Sequence, residues 1–194
     1  MRQRVVIAIT GASGAALGAR VLERLAARPE VETHLVLSAA GERTLRHEMG
    51  QDAPGRLRGT ATVTHDESNI GASIASGSFG VAGMIVAPCS MRTLAAIAAG
   101  LADNLVVRAA DVQLKERRRL VLLARETPLH LGHLRNMVAV TEMGAIVMPP
   151  APAFYQLPQT IAEIVDHLAA RAIDLLGLPG EAATPPWSGL PPLR

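Results

Sequence analysis

The chain reads as an α/β protein built on an open, mainly parallel sheet with helices on both faces. Two observations carry that expectation: short β-branched or apolar runs bounded by turn residues, and helical apolar stripes lying between them. Of the 194 residues, 49% are hydrophobic and 19% charged, enough for one sizeable core and too apolar for a disordered chain. We expect one domain over residues 1–178 and an extended, proline-rich tail over 179–194.

The first strand is expected at residues 5–9 (VVIAI). The opening MRQRVVIAITGASGAALGA has the outline of a secretory leader, but its apolar stretch falls short of the roughly 7–15 residues such a leader needs. A charged face at Arg20, Glu23, Arg24 and Arg28 follows, so strand, glycine turn and helix is the better parse. Leu17, Val21, Leu22 and Leu25 form the buried stripe of that helix. A second strand is expected at 33–37, and residues 50–62, which mix Gly, Pro and charge without a period, as an exposed excursion. After the strand at 83–87 comes an Ala-rich helix with Leu94, Ile97 and Leu101 at its apolar positions. Strands at 120–124 and 145–148 precede a closing helix striped by Ile161, Ile164, Val165, Leu168, Ala172 and Leu175. In the tail, Trp187 and Leu190 suggest docking on this subunit or a neighbour.

Composition removes several function classes. The net charge of +2 gives no strong pull on nucleic acid, and Phe79, Phe154, Tyr155 and Trp187 are too few to stack a single strand. Cys89 is the sole cysteine, which excludes an intramolecular disulfide and a multi-thiolate metal site and fits a reducing compartment, the cytoplasm. No apolar run approaches the roughly 20 residues that span a bilayer. His130 and His133 share a helical spacing but lack a nearby acidic or thiol ligand, so no metal site is expected.

Chemistry is expected at strand exits. Thr10-Gly11-Ala12-Ser13-Gly14 feeds a helix whose free N–H groups and dipole suit an anion, although the spacing matches neither a dinucleotide nor a Walker loop. Ser90-Met91-Arg92-Thr93 opens a second such helix, and Ser38 leaves the second strand. Each serine alone is an ordinary cap, but together they suggest one shared phosphate site. Cys89 reads as a packed thiol, since no histidine partner is assignable. Lys115, the only lysine, stands in a KERRR run of which Arg117–Arg119 are expected to face solvent. Arg125 and Glu126 leave a strand, where a guanidinium binds phosphate and a carboxyl moves a proton. Prolines stiffen the approach to Tyr155, and Arg171 lies off the stripe of the last helix.

Seven segments carry a closer likeness: GASG at 11–14, ETHLVLS at 32–38, ASGSF at 75–79, PCSMRTLA at 88–95, RAADVQLKERR at 108–118, RETPLHLGHL at 125–134 and PPAPAFYQLP at 149–158. With these the chain resembles the UbiX-like flavin prenyltransferases of the flavoprotein decarboxylase superfamily. The resemblance implies a Rossmann-like homo-oligomer, typically a dodecamer, that joins the dimethylallyl group of dimethylallyl phosphate to reduced FMN without a metal. The prenylated FMN would serve a separate UbiD-like decarboxylase. By the same resemblance, FMN contacts fall on Gly11, Ala12, Ser13, Ser38, Ser90, Met91, Arg92, Thr93 and Arg125, and substrate contacts on Lys115, Arg125, Glu126, Tyr155 and Arg171. Lys115, Arg125, Arg171 and Tyr155 would gather round one departing phosphate, with Glu126 and Ser13 moving the proton. Some relatives carry Trp before ASGS where this chain has Ile70. Two alternatives stand beside this reading: an FMN-dependent cysteine-type decarboxylase, for which His65 is a poorly placed catalytic histidine, and a non-catalytic FMN-binding subunit.

Overall fold

The computed structural model describes residues 2–184, 186, 187 and 189; Leu190, one of the two tail residues expected to dock, lies outside them. Gln3–Ile9 (β1), Val31–Leu37 (β2), Val63–His65 (β3), Gly83–Cys89 (β4), Arg119–Ala124 (β5) and Ile146–Val147 (β6) form one parallel sheet in the order β3-β2-β1-β4-β5-β6. Between the strands run Ala15–Ala26 (α1), Ala39–Met49 (α2), Ala53–Thr60 (α3), Met91–Ala99 (α4), Leu105–Lys115 (α5) and Leu131–Glu142 (α6), and Ile161–Asp174 (α7) closes the fold. The strand order reverses between β1 and β4, so the crevice beyond their carboxyl ends is where an open α/β sheet takes a ligand.

The central strands are apolar throughout because both faces are covered. In β1, Val5, Ile7 and Ile9 pack with Leu22 and Leu25 of α1 and Ala169 and Ile173 of α7. The alternate residues Val6 and Ala8 pack with Leu94 of α4 and Leu105 and Ala109 of α5 on the other face. Asp166 of α7 receives Arg24 through two hydrogen bonds of 2.8 Å and Arg20 through one of 2.6 Å, which clamps α7 onto α1. Those arginines hold its carboxyl at about 2.

The expected excursion at 50–62 contains α3, opened by Pro54 in its first turn. Its one buried leucine, Leu57, is too little apolar signal to reveal a helix. Strand β3, unforeseen, has three residues and no fully buried one. Leu101 falls outside α4, which Gly100 ends in the left-handed conformation at φ 67°, and the leucine is exposed. Ile161, foreseen on the buried stripe, is also exposed, because it occupies the first position of α7. The tail folds back: Asp174 accepts the backbone N–H groups of Ala183 and Thr184 and the Thr184 hydroxyl. Trp187 meets Tyr155 edge to face at 5.0 Å.

The KERRR run ends α5. Arg117 N–H donates to Leu114 and Arg118 N–H to Gln113, the paired bonds of a Schellman turn, with Arg117 left-handed at φ 56° where glycine is usual. The turn sends Arg118 inward, against the expectation of a solvent-facing cation, while Arg117 and Arg119 do face solvent. Arg117→Gly relieves the left-handed strain and should raise stability by up to about 1 kcal/mol. Urea unfolding tests this through a higher midpoint at unchanged m-value.

Candidate functional site

Three groups of foreseen residues occupy three places. The first is the switch point. Thr10 ties the two strand exits together: its hydroxyl donates to the Pro88 carbonyl at 2.7 Å and accepts the Ser90 N–H at 2.8 Å. Ser38 and Ser90 both cap their helices, accepting the N–H of Gly41 and Thr93. Gly11, Ala12 and Ser13 form the β1 exit, and Gly14 enters α1 at φ 104°, a conformation that favours glycine. Arg125 leaves β5 beside β4, its N–H donating to Cys89 O at 3.2 Å, and its side chain and that of Glu126 are exposed.

The N-termini of these helices are not alike. Glu48 of α2 reaches to α1 and accepts from Gly14 N at 3.0 Å and Ala15 N at 2.8 Å. Burial alone pushes this carboxyl up, but hydrogen bonds from the Ser13 hydroxyl and those two amides outweigh it and hold it below the ordinary carboxylate value. Glu67 accepts Ala39 N–H at 2.8 Å at the start of α2. At α4 the amides of both Met91 and Arg92 have no acceptor among the described residues, so this helix start is the most open of the three. The site therefore fits one phosphate ester at Ser90–Thr93 beside Arg125, rather than one shared equally by α1 and α4. Arg92 is itself paired with Asp103 at 2.9 Å. Glu48 carried no sequence signal: it sits in the last turn of α2, and only the fold brings it to Ser13. Cys89 is buried with its thiol pushed up to about 12 by desolvation, so it offers no thiolate.

The second place lies beyond β6. Met148, Pro149, Tyr155, Arg171 and Trp187 line a cavity of about 640 Å³, with Asp174 and Thr184 in its wall. Here Tyr155 and Arg171 do come together. The third place is the opposite edge of the sheet. Lys115 ends α5 four residues before Arg119, whose partner is Gly83, the first residue of β4. Arg125 lies past the far end of the same strand, roughly 20 Å away at about 3.3 Å per residue. One chain therefore does not gather Lys115, Arg125, Tyr155 and Arg171 round a single phosphate. Among the described residues there is no cluster of three His, Cys, Asp or Glu side chains able to hold a metal, and no helix is long and apolar enough to cross a membrane. His130 caps α6 instead, accepting Gly132 N–H at 3.0 Å.

Fold and switch point together define a flavoprotein of the open α/β class, and the Flavoprotein family model matches residues 1–172. The flavin prenyltransferase UbiX of Neisseria meningitidis serogroup B is 52% identical over 192 residues, covering 98% of this chain and 99% of that protein. The chain belongs to the UbiX-like flavin prenyltransferases. The structure of AnUbiX (PadA1) in complex with FMN and dimethylallyl pyrophosphate superposes with a TM-score of 0.92 at 48% identity, covering 98% of this chain and all of the other. A dodecameric FMN-dependent UbiX-like decarboxylase from Escherichia coli O157:H7 gives 0.91 at 47% identity, over 97% of this chain and all of that one.

Membership decides against the cysteine-type decarboxylase, and the surroundings of His65 agree. Glu32 accepts from His34 Nε2 at 2.9 Å, which leaves His34 Nδ1 to accept from His65 Nε2 at 2.9 Å. Arg4 Nε stands 3.3 Å from Glu32, and Phe79 packs edge-on against His34. Burial lowers both histidines from 6.5, despite the upward pull of Glu32 on His34. The folded protein thus keeps them neutral where the unfolded chain takes protons. Their contribution is complete above 6.5 and is lost as pH falls below it toward the depressed folded values. Urea midpoints at pH 7.5 and 5.5 should drop for the wild type and drop less for His65→Gln; equal slopes would contradict the neutral pair.

Proposed function

We propose that this protein transfers a dimethylallyl group from dimethylallyl phosphate to reduced FMN, releasing prenylated FMN to a UbiD-like decarboxylase. The carrying observation is the open start of α4 with Arg125 at the switch point of a chain half identical to UbiX prenyltransferases. Reduced FMN, when bound, supplies the nucleophilic ring nitrogen that accepts the allyl group. Gly11, Ala12, Ser13, Ser38, Ser90, Met91, Arg92, Thr93 and Arg125 are the residues that would hold it.

The protein's task is then to take a dianion from an allylic carbon. Lys115, Arg125 and Arg171 serve that end, their positive charge replacing the divalent ion other prenyl transfers use, and the Tyr155 hydroxyl adds a neutral hydrogen-bond donor. Because Lys115 stands on the far edge, the full set requires more than one copy of the chain. A homo-oligomer, a dodecamer like that of the Escherichia coli relative, supplies it. The exposed apolar surface supports this: Leu131, Leu134 and Val138 of α6 and Phe154, Leu157 and Ile161 all face outward, and only Val140 of α6 is buried. Glu126 moves the proton, and Ser13 is held for the same work by Glu48. A single, buried cysteine accords with a cytoplasmic setting.

Anaerobic incubation with FMN, a reductant and dimethylallyl phosphate should release a flavin heavier by one C5H8 unit in mass spectrometry; unmodified FMN would overturn the proposal. Glu126→Gln should keep FMN yet slow prenylation on the order of 100-fold or more, and undiminished single-turnover rates would remove Glu126 from the mechanism.

A further inference from the structure

Arg118 points inward from the turn that ends α5. Its side chain is 20% exposed, and Nη2 donates to the Gly77 carbonyl at 2.6 Å. Nη1 is buried and has no partner among the described residues. The same Nη2 stands 3.9 Å from one oxygen of Glu116, whose other oxygen accepts from Lys115 Nζ at 2.5 Å. Gly77 is the floor beneath this pair. A Cβ added there would lie 2.1 Å from Glu116 Oε1 and 2.8 Å from Lys115 Nζ, so carboxylate and ammonium rest directly on its α-carbon.

The floor is itself fixed. Arg108 Nε donates to Ala75 O at 3.2 Å and Arg4 Nη1 to Phe79 O at 2.7 Å, with the Arg4 guanidinium 4.3 Å above the Phe79 ring. Together with Arg118, three guanidinium groups from β1, α5 and the turn before β5 therefore pin the carbonyls of residues 75, 77 and 79. An isolated surface ion pair between sequence neighbours holds a lysine weakly, because four rotatable bonds spread the ammonium over many positions. Here the partner carboxylate is backed by a largely buried guanidinium and by a glycine whose carbonyl that guanidinium holds, which confines that spread.

We infer that Arg118 is a positioning residue for Lys115: by gripping Gly77 and flanking Glu116 it sets where the ammonium stands when dimethylallyl phosphate arrives. The inference rests on the proposed role of Lys115 as a phosphate contact. The strained Arg117 conformation belongs to the same device, since the Schellman turn aims Arg118 at Gly77.

The test is steady-state prenyl transfer by the assembled full-length protein at varied dimethylallyl phosphate, with FMN affinity measured separately by fluorescence. Arg118→Gln should raise KM for dimethylallyl phosphate on the order of tenfold and leave FMN binding unchanged. Gly77→Ala keeps Arg118 but crowds Glu116 and Lys115, and should raise KM in the same direction. In a Lys115→Met background, Arg118→Gln should add no further loss in kcat/KM, because no ammonium remains to be placed. An unchanged KM in both Arg118→Gln and Gly77→Ala, or the same fold-loss from Arg118→Gln with and without Lys115, overturns the inference. A wild type that makes no prenylated flavin overturns the proposed reaction instead, and an active wild type unaffected by Lys115→Met overturns the role of Lys115.

Discussion

Parallel strands impose the constraint on which the functional layout depends. Every connection must carry the chain back across the sheet, so residues flanking one strand end on opposite edges. Lys115 enters β5 from the amino edge and Arg125 leaves it at the carboxyl edge. Nearness in sequence becomes distance in space. Lys115 and Arg125 consequently stand apart within one chain, and the proposed reaction would need an assembly to bring them together.

The carboxyl edge shows how one scaffold separates similar helix starts. Three helices leave the sheet near the β1–β4 crevice with the same positive ends. The chain's own carboxylates take the first amide of two of them, Glu48 at α1 and Glu67 at α2, while at α4 the first two amides have no acceptor among the described residues. Glu48 is thereby left hydrogen-bonded by Ser13 at the start of α1. Residue type alone would not distinguish these three turns.

The layers, the strand exits and most of the buried stripes were legible in the sequence because period and burial are local properties. Strand β3 and helix α3 were not, since each buries too little to leave a pattern: β3 has three residues, and Leu57 is the one large apolar anchor of α3. The inward turn of Arg118 was hidden for a different reason. A basic run after a helix normally faces water, and only the left-handed Arg117 reverses the last residue of the turn. Glu48 and the Lys115–Arg125 separation depend on tertiary topology, which motif spacing does not encode.

The contact that returns the tail to α7 has its own consequence. Asp174 grips Ala183 and Thr184 largely through amide hydrogens, groups that every residue but proline supplies. Side chains along that stretch are free to drift while the path of the chain is kept. What inheritance must preserve there is one carboxylate and a proline-free pair of positions, so this border of the cavity can vary widely in composition among descendants without losing its shape.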